Sequence, residues 1–174
     1  MADIFIEHMV ARRKTVNNHI QSVLYVLLLI SVVLAGFTIN NAILNALIPF
    51  VAAGGAWLVW WLIRNQTVEF EYILTNGEID IDRVLGRSKR KRITTVDVRN
   101  FEVFEPYDEA HFSKYKNAVF VRKFDASSGV GTDGSRKFVI TPAKEGGGKL
   151  LLIFEPDERM INAMKVYNRR LELK

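Results

Sequence analysis

Residues Val68 to Asp82 read VEFEYILTNGEIDID. Val68, Phe70, Tyr72 and Leu74 alternate with Glu69 and Glu71; after Asn76-Gly77, Ile79 and Ile81 alternate with Glu78, Asp80 and Asp82. Successive side chains of a strand point to opposite faces, and Asn-Gly tolerates the positive φ angles that a two-residue hairpin turn demands. The stretch predicts a half-buried β-hairpin. Further strand-like runs lie around Arg90 to Val96, Arg99 to Glu105, Asn117 to Phe124, Arg136 to Thr141 and Lys149 to Glu155, for about seven strands in all. Pro156 and Asp157 then start a helix in which Met160, Met164, Tyr167 and Leu171 recur at helical spacing. Arg169 and Arg170 fall near its C-terminal end, where cations suit the helix dipole.

Upstream the pattern is different. Lys14 and Arg64 bracket 49 consecutive residues without Asp, Glu, Lys or Arg, so all 43 charged side chains lie elsewhere in the 174-residue chain. The mean hydropathy of +0.07 therefore averages two unlike materials, and a uniform soluble globule is excluded. A helix crosses a bilayer core about 30 Å thick with roughly 20 apolar residues, so the run predicts two helical spans. These are Val23 to Ile39 and Ala42 to Ile63, joined by Asn40-Asn41, with Pro49 inside the second. Ser31 with Ala35, and Ala52 with Ala56, have the spacing that lets helix backbones approach, and Asn45 is a packing amide within the second span. Trp57, Trp60 and Trp61 beside Arg64 are expected as interfacial anchors.

Residues 1–22 are expected as an amphipathic juxtamembrane segment. Asp3 is a cap, Phe5, Met9, Val16 and Ile20 share a helix face, and Arg12, Arg13 and Lys14 lie off it. A helix that simply extends the first span is the other reading of these residues. A secretory signal peptide competes for the first span, but more than 20 residues precede its apolar run. The expected organisation is thus a juxtamembrane segment (1–22), a transmembrane hairpin (23–63) and a cytoplasmic domain (67–174).

From Tyr72 to Phe104 the chain reads YILTNGEIDIDRVLGRSKRKRITTVDVRNFEVF. A strand ending in Leu-Thr leads through a turn to a second strand, a Gly, an Arg/Lys-rich stretch and a strand beginning with Ile. This resembles bacterial pleckstrin-homology-like (PH-like) membrane domains, over Val68 to about Leu171. The resemblance implies a mainly-β barrel of about seven strands with a C-terminal helix, here behind an N-terminal transmembrane α-helical hairpin. The opening DIFIEHMVARRKT, followed by two spans, also resembles a family of small Firmicutes membrane proteins, a resemblance that supplies no function. The stretch Pro106 to Lys116 departs from the PH pattern.

Five cations in six residues, Arg87, Lys89, Arg90, Lys91 and Arg92, form the most visible chemical feature. Beside an anionic leaflet each such residue contributes roughly 1 kcal/mol of attraction. The cluster is therefore the candidate lipid-contacting site, against the plainer reading of a charged edge that discourages strand pairing. Nucleic acid is not an expected partner, since the residues from Arg64 onward carry 21 basic and 17 acidic side chains. Gly129 to Gly134 matches G-x-G-x-x-G but leads into a strand rather than a helix, and Gly146-Gly147-Gly148-Lys149 lacks the first Gly and the hydroxyl of a P-loop. Asp108, Glu109 and His111 read as a solvated loop rather than a metal shell. Without Cys there is no disulfide framework or thiolate centre, and no catalytic residue, metal or cofactor is expected.

The expectation is a non-catalytic, membrane-anchored PH-like binding or scaffold module, with the lipid bilayer, a membrane or cytoplasmic protein, or a second copy as partner. The alternative is an accessory or regulatory subunit of a larger membrane enzyme or transport complex. Arg12, Arg13, Lys14 and Arg64 flank the outer ends of the hairpin and its turn has no cation, so both termini are expected in the cytoplasm. Asn40→Cys should accordingly be labelled by an impermeant maleimide from outside intact cells, while a reporter fused after Lys174 reads cytoplasmic. An external C-terminal reporter would contradict the hairpin.

Overall fold

The Asn76-Gly77 hairpin forms as the alternation requires, with φ of 49° and 92° at its two central residues. The computed structural model describes residues 4–39, 41–130, 134–144 and 147–172. Two units make up the chain: Lys14–Thr67, and a second unit that combines the residues up to Arg13 with those from Val68 onward.

The first unit is a pair of helices, α1 (Val16–Phe37) and α2 (Ala42–Asn65). At 1.5 Å per residue they are about 33 and 36 Å long. Both are long and apolar enough to cross a membrane. Asn41 caps α2 by accepting from the amides of Ile43 and Leu44; its neighbour at position 40 lies outside the described residues. The helices come close together at two glycines. A Cβ on Gly55 would collide with Leu29 Cδ1, and one on Gly36 would sit 3.3 Å from Ile48. Ser31, Ala35 and Ala56, expected at this contact, are exposed.

Among the described residues the second unit holds eight strands. β1 (Phe5–Ala11), β2 (Val68–Thr75), β3 (Glu78–Leu85) and β4 (Lys89–Asp97) form an antiparallel sheet in that order. β5 (Val103–Pro106), β6 (Arg122–Asp125), β7 (Lys137–Pro142) and β8 (Lys149–Phe154) form a second sheet, ordered β5-β7-β8-β6, in which β6 runs parallel to β8. α3 (Glu109–Phe112) lies between β5 and β6, and α4 (Glu158–Tyr167), capped by Asp157, follows β8.

Three expectations need correction. Phe5 and Met9 are on a strand, not a helix, while Val16 and Ile20 belong to α1. A spacing of four residues satisfies both a helical period and a period of two, so Phe5 and Met9 did not discriminate. Ile6 and Val10, at the same spacing on the other face, pack on the core of the β unit. Asp3 lies outside the described residues. Secondly, the strands among the described residues number eight in two sheets, and the runs at Arg99 to Glu105 and Asn117 to Phe124 shorten to Val103–Pro106 and Arg122–Asp125. Thirdly, the divergent Pro106 to Lys116 stretch carries α3 and a 3₁₀ turn, and the domain from residue 67 onward is incomplete without β1.

The inner faces of the sheets and α4 share one core around Tyr72, Leu74, Ile81, Leu152, Phe154 and Met164. A second cluster, Phe138, Ile140, Leu151 and Ile153, is covered by Tyr107, Phe112, Tyr115 and Phe120. β8 therefore buries both faces, which is why Leu150 to Phe154 is continuously apolar. Tyr72 anchors the core by donating its hydroxyl hydrogen to the Ala126 carbonyl and accepting from the Glu155 amide.

Replacing Lys14–Thr67 by a short Gly/Ser linker should leave a soluble, mainly-β domain that unfolds cooperatively. A chain starting at Gln66 loses the partial burial of Ile6 and Val10, worth about 1 kcal/mol each, and should unfold at lower denaturant. Equal midpoints for the two in urea would show that β1 contributes nothing.

Candidate functional site

The five clustered cations do not share one surface. A β-bulge at Ile81/Asp82 leaves Ile93 as an extra residue: Ile81 pairs with Thr94, but Asp82 pairs with Arg92. In a regular strand residues 92 and 94 would share a face. The bulge instead turns Arg90 and Arg92 to the outer face, which carries the acids, and Lys91 to the inner one.

On the outer face the arginines are paired. Arg92 Nε donates to Asp82 at 2.9 Å and its Nη1 lies 2.9 Å from Asp80. The Asp82 hydrogen bond raises the pKa of Arg92, holding its guanidinium charged. Arg90 Nη2 sits 2.7 Å from Glu71, a carboxylate only 1% exposed, and Arg87 sits 3.2 Å from Glu69. Burial pushes the Glu71 carboxyl up, a hydrogen bond with Glu7 adds to the rise, and Arg90 opposes it. A buried carboxylate is strongly destabilising without a partner, so Arg90 is a structural requirement of this sheet. Lys89 is exposed.

On the inner face Phe70, Arg83 and Lys91 are cross-strand partners. The row before them, Tyr72, Ile81 and Thr94, belongs to the core side, so the inner face changes from apolar to cationic in one register step. Here a groove of about 430 Å³ opens. Its cations are Arg12, Arg83, Lys91, Arg92 and Lys123; Val68, Phe70, Ile93 and Phe124 supply its apolar lining, and Asp125 is its one acid. Asp125 stands 3.9 Å from Arg12 and 3.8 Å from Arg136. Arg12 lies over the Phe70 ring and Lys123 over Phe120. Among the described residues Arg83, Lys91 and Lys123 make no ion pair, so the groove carries net positive charge beside aromatic surface.

The groove sits where the chain leaves the β unit. The β1–β2 ladder runs to Ala11 and Glu69, and Arg12 N then donates to Val68 O at 2.9 Å. Arg12, Arg83 and Lys123 were missed by sequence reading. Arg83 left a signal: it continues the inner-face parity of Ile79 and Ile81 with a cation.

Other candidates have local roles. Asp108 caps α3 through the His111 amide, and that hydrogen bond holds its carboxyl below the usual range, with the His111 ring 2.7 Å away. Among the described residues no three His or acidic side chains converge as metal ligands. Gly129 and Gly134 have positive φ and β7 follows them; residues 131–133 and Gly146 lie outside the described residues. In the helical unit Trp57, Trp60 and Trp61 are exposed, and Arg64 lies 5.3 Å from the Trp60 ring centre.

A family model described as Bacterial PH-like domain (DUF6106) matches residues 2–172. The chain belongs to this family. The match begins ahead of β1 and runs through the helices, so the bacterial PH-like domain as a family unit includes the hairpin between its first two strands. No curated protein and no solved structure matches the chain.

Proposed function

We propose that this bacterial PH-like protein is a non-catalytic binding module held at the cytoplasmic face of the cell membrane by α1 and α2, where its basic groove engages anionic lipid headgroups. One observation carries the reading: the uncompensated cations of the groove lie at the end of the β unit from which both connections to the apolar helices depart. Three residues lie between Arg12 and Val16, the first of α1, and two between Asn65, the last of α2, and Val68. Extended chain covers at most about 3.6 Å per residue, so both links are short.

Arg83, Lys91 and Lys123 together supply about 3 kcal/mol at an anionic surface, which biases the orientation of a tethered domain by roughly a hundredfold. Arg87, Arg90 and Arg92 have the lesser part, because their charge is answered by Glu69, Glu71, Asp80 and Asp82. Trp57, Trp60, Trp61 and Arg64 act as interfacial anchors of α2 on the same side. A protein partner at the membrane surface, rather than a substrate, is what such a module would present or recruit.

Native mass spectrometry of the full chain released from phosphatidylcholine–phosphatidylglycerol membranes tests this. The wild type should retain phosphatidylglycerol in preference to phosphatidylcholine, and high salt should erase the preference as screening shortens from about 10 Å at 0.1 M to about 3 Å at 1 M. The variant Arg83→Gln/Lys91→Gln/Lys123→Gln should lose it while staying folded, since exposed charges contribute little to stability. Equal lipid retention by both forms would overturn the reading.

A further inference from the structure

Among the described residues the β unit leaves six large apolar side chains exposed, and three of them fall between residues 119 and 130. They are Val119 at 89%, Val121 at 54% and Val130 at 53% exposure. The other three, Phe5, Met9 and Val166, lie on β1 and α4. Isolated exposed apolar residues are ordinary on a soluble surface; a group of them flanking cations is a different pattern. Val119 and Val121 precede β6 and Val130 follows it, while the strand contributes exposed Arg122 and Lys123.

The backbone holds these valines outward. Ala118 N donates to Tyr115 O and Val121 N to Lys149 O, both at 2.9 Å, so the loop before β6 is pinned at both ends. Phe120 turns inward to the second aromatic cluster, and its neighbours on either side therefore face solvent. After the strand, Arg13 N donates to Ser128 O at 2.9 Å. Arg13 ends the first segment of the β unit, so the loop after β6 is bonded to the end of that unit from which the chain departs.

We infer that β6 and its two shoulders form a second membrane contact, in which Val119, Val121 and Val130 enter the headgroup layer while Arg122 and Lys123 stay at the phosphates. This rests on the reading that the neighbouring groove faces an anionic leaflet. Apolar side chains combined with adjacent cations are what binds a segment to the plane of an anionic interface. The occupant is lipid rather than a peptide because the apolar side chains stand out as points, 89% exposed at Val119, instead of lining a slot. The contact fixes the tilt of the β unit at the surface, which the tethers alone leave free.

The absence of Cys allows single-site labelling of the full chain. Val119→Cys, Val130→Cys, Val166→Cys and Ser88→Cys, each with an environment-sensitive fluorophore, are reconstituted in phosphatidylcholine–phosphatidylglycerol nanodiscs with spin-labelled lipid. Ser88 lies on the β3–β4 turn beside the groove and reports the underlying reading; Val166, on α4, controls for an apolar site elsewhere. Labels at positions 119 and 130 should shift to the blue and be quenched about threefold more strongly than at 166, with 88 quenched at headgroup depth. The variant Val119→Asp/Val130→Asp, with the label at 88, should lose about half of that quenching, which excludes insertion driven by the dye. Quenching at 88 with 119 and 130 as aqueous as 166 overturns the inference and leaves the groove reading standing. Aqueous behaviour at all four positions overturns both. Labels at 119 and 130 shielded from water but untouched by lipid quenchers point to a protein cover and overturn the inference.

Discussion

The ladder between β1 and β2 is the constraint on which the rest depends. Seven register pairs, from Phe5 with Thr75 to Ala11 with Glu69, join segments separated by the whole helical hairpin. An insertion between neighbouring antiparallel strands must start and finish within about 5 Å across the sheet. A pair of antiparallel helices suits that condition, because their outer ends lie about 8–10 Å apart when packed and the short links on either side span the difference. Close approach at Gly36 and Gly55 keeps the pair compact, and the polar link at Asn41 caps the return helix. The β unit is thus joined to the helices by two connections at one end.

That tethered end is also where the sheet sorts its charge. The bulge at Ile81/Asp82 places Arg90 and Arg92 among Glu71, Asp80 and Asp82, and sends Lys91 to the inner face beside Arg83. Were the strand regular through Ile93, with no bulge, Arg90 and Arg92 would face the inner side and Glu71 would lose Arg90 as its counter-ion. Such an arrangement costs several kcal/mol, a large share of the stability of a domain this size. One backbone irregularity therefore does two things: it neutralises the outer face and leaves the inner mouth cationic.

Much of this was legible in the chain. The Asn76-Gly77 hairpin, the strands near Arg136 and Lys149, the helix after Asp157 and the two apolar helices follow from local periodicity, caps and turn chemistry. What escaped reading depends on partners distant in sequence. β1 was hidden because Phe5 and Met9 fit two periods and β2 lies beyond the hairpin. The run at Asn117 to Phe124 reads as a strand, but its short extent and its parallel pairing with β8 have no local signal. The basic cluster was visible as composition, but its division into paired arginines and a free Lys91 required the bulge, and Arg12 and Lys123 joined the groove only through the fold.

The central claim is that the first strand and the strand after the helices are direct neighbours. Phe5 and Thr75 are opposed on the outer face of the sheet, and the chain has no competing thiol. Opposed residues of antiparallel strands have Cα atoms about 4.5–5.5 Å apart, within disulfide range. The double variant Phe5→Cys/Thr75→Cys, oxidised in native membranes, should form an intramolecular disulfide in most molecules, identified by mass spectrometry of linked peptides, whereas Phe5→Cys/Ser88→Cys should not. Failure of the first pair to link, or equal linking of both, would contradict the account.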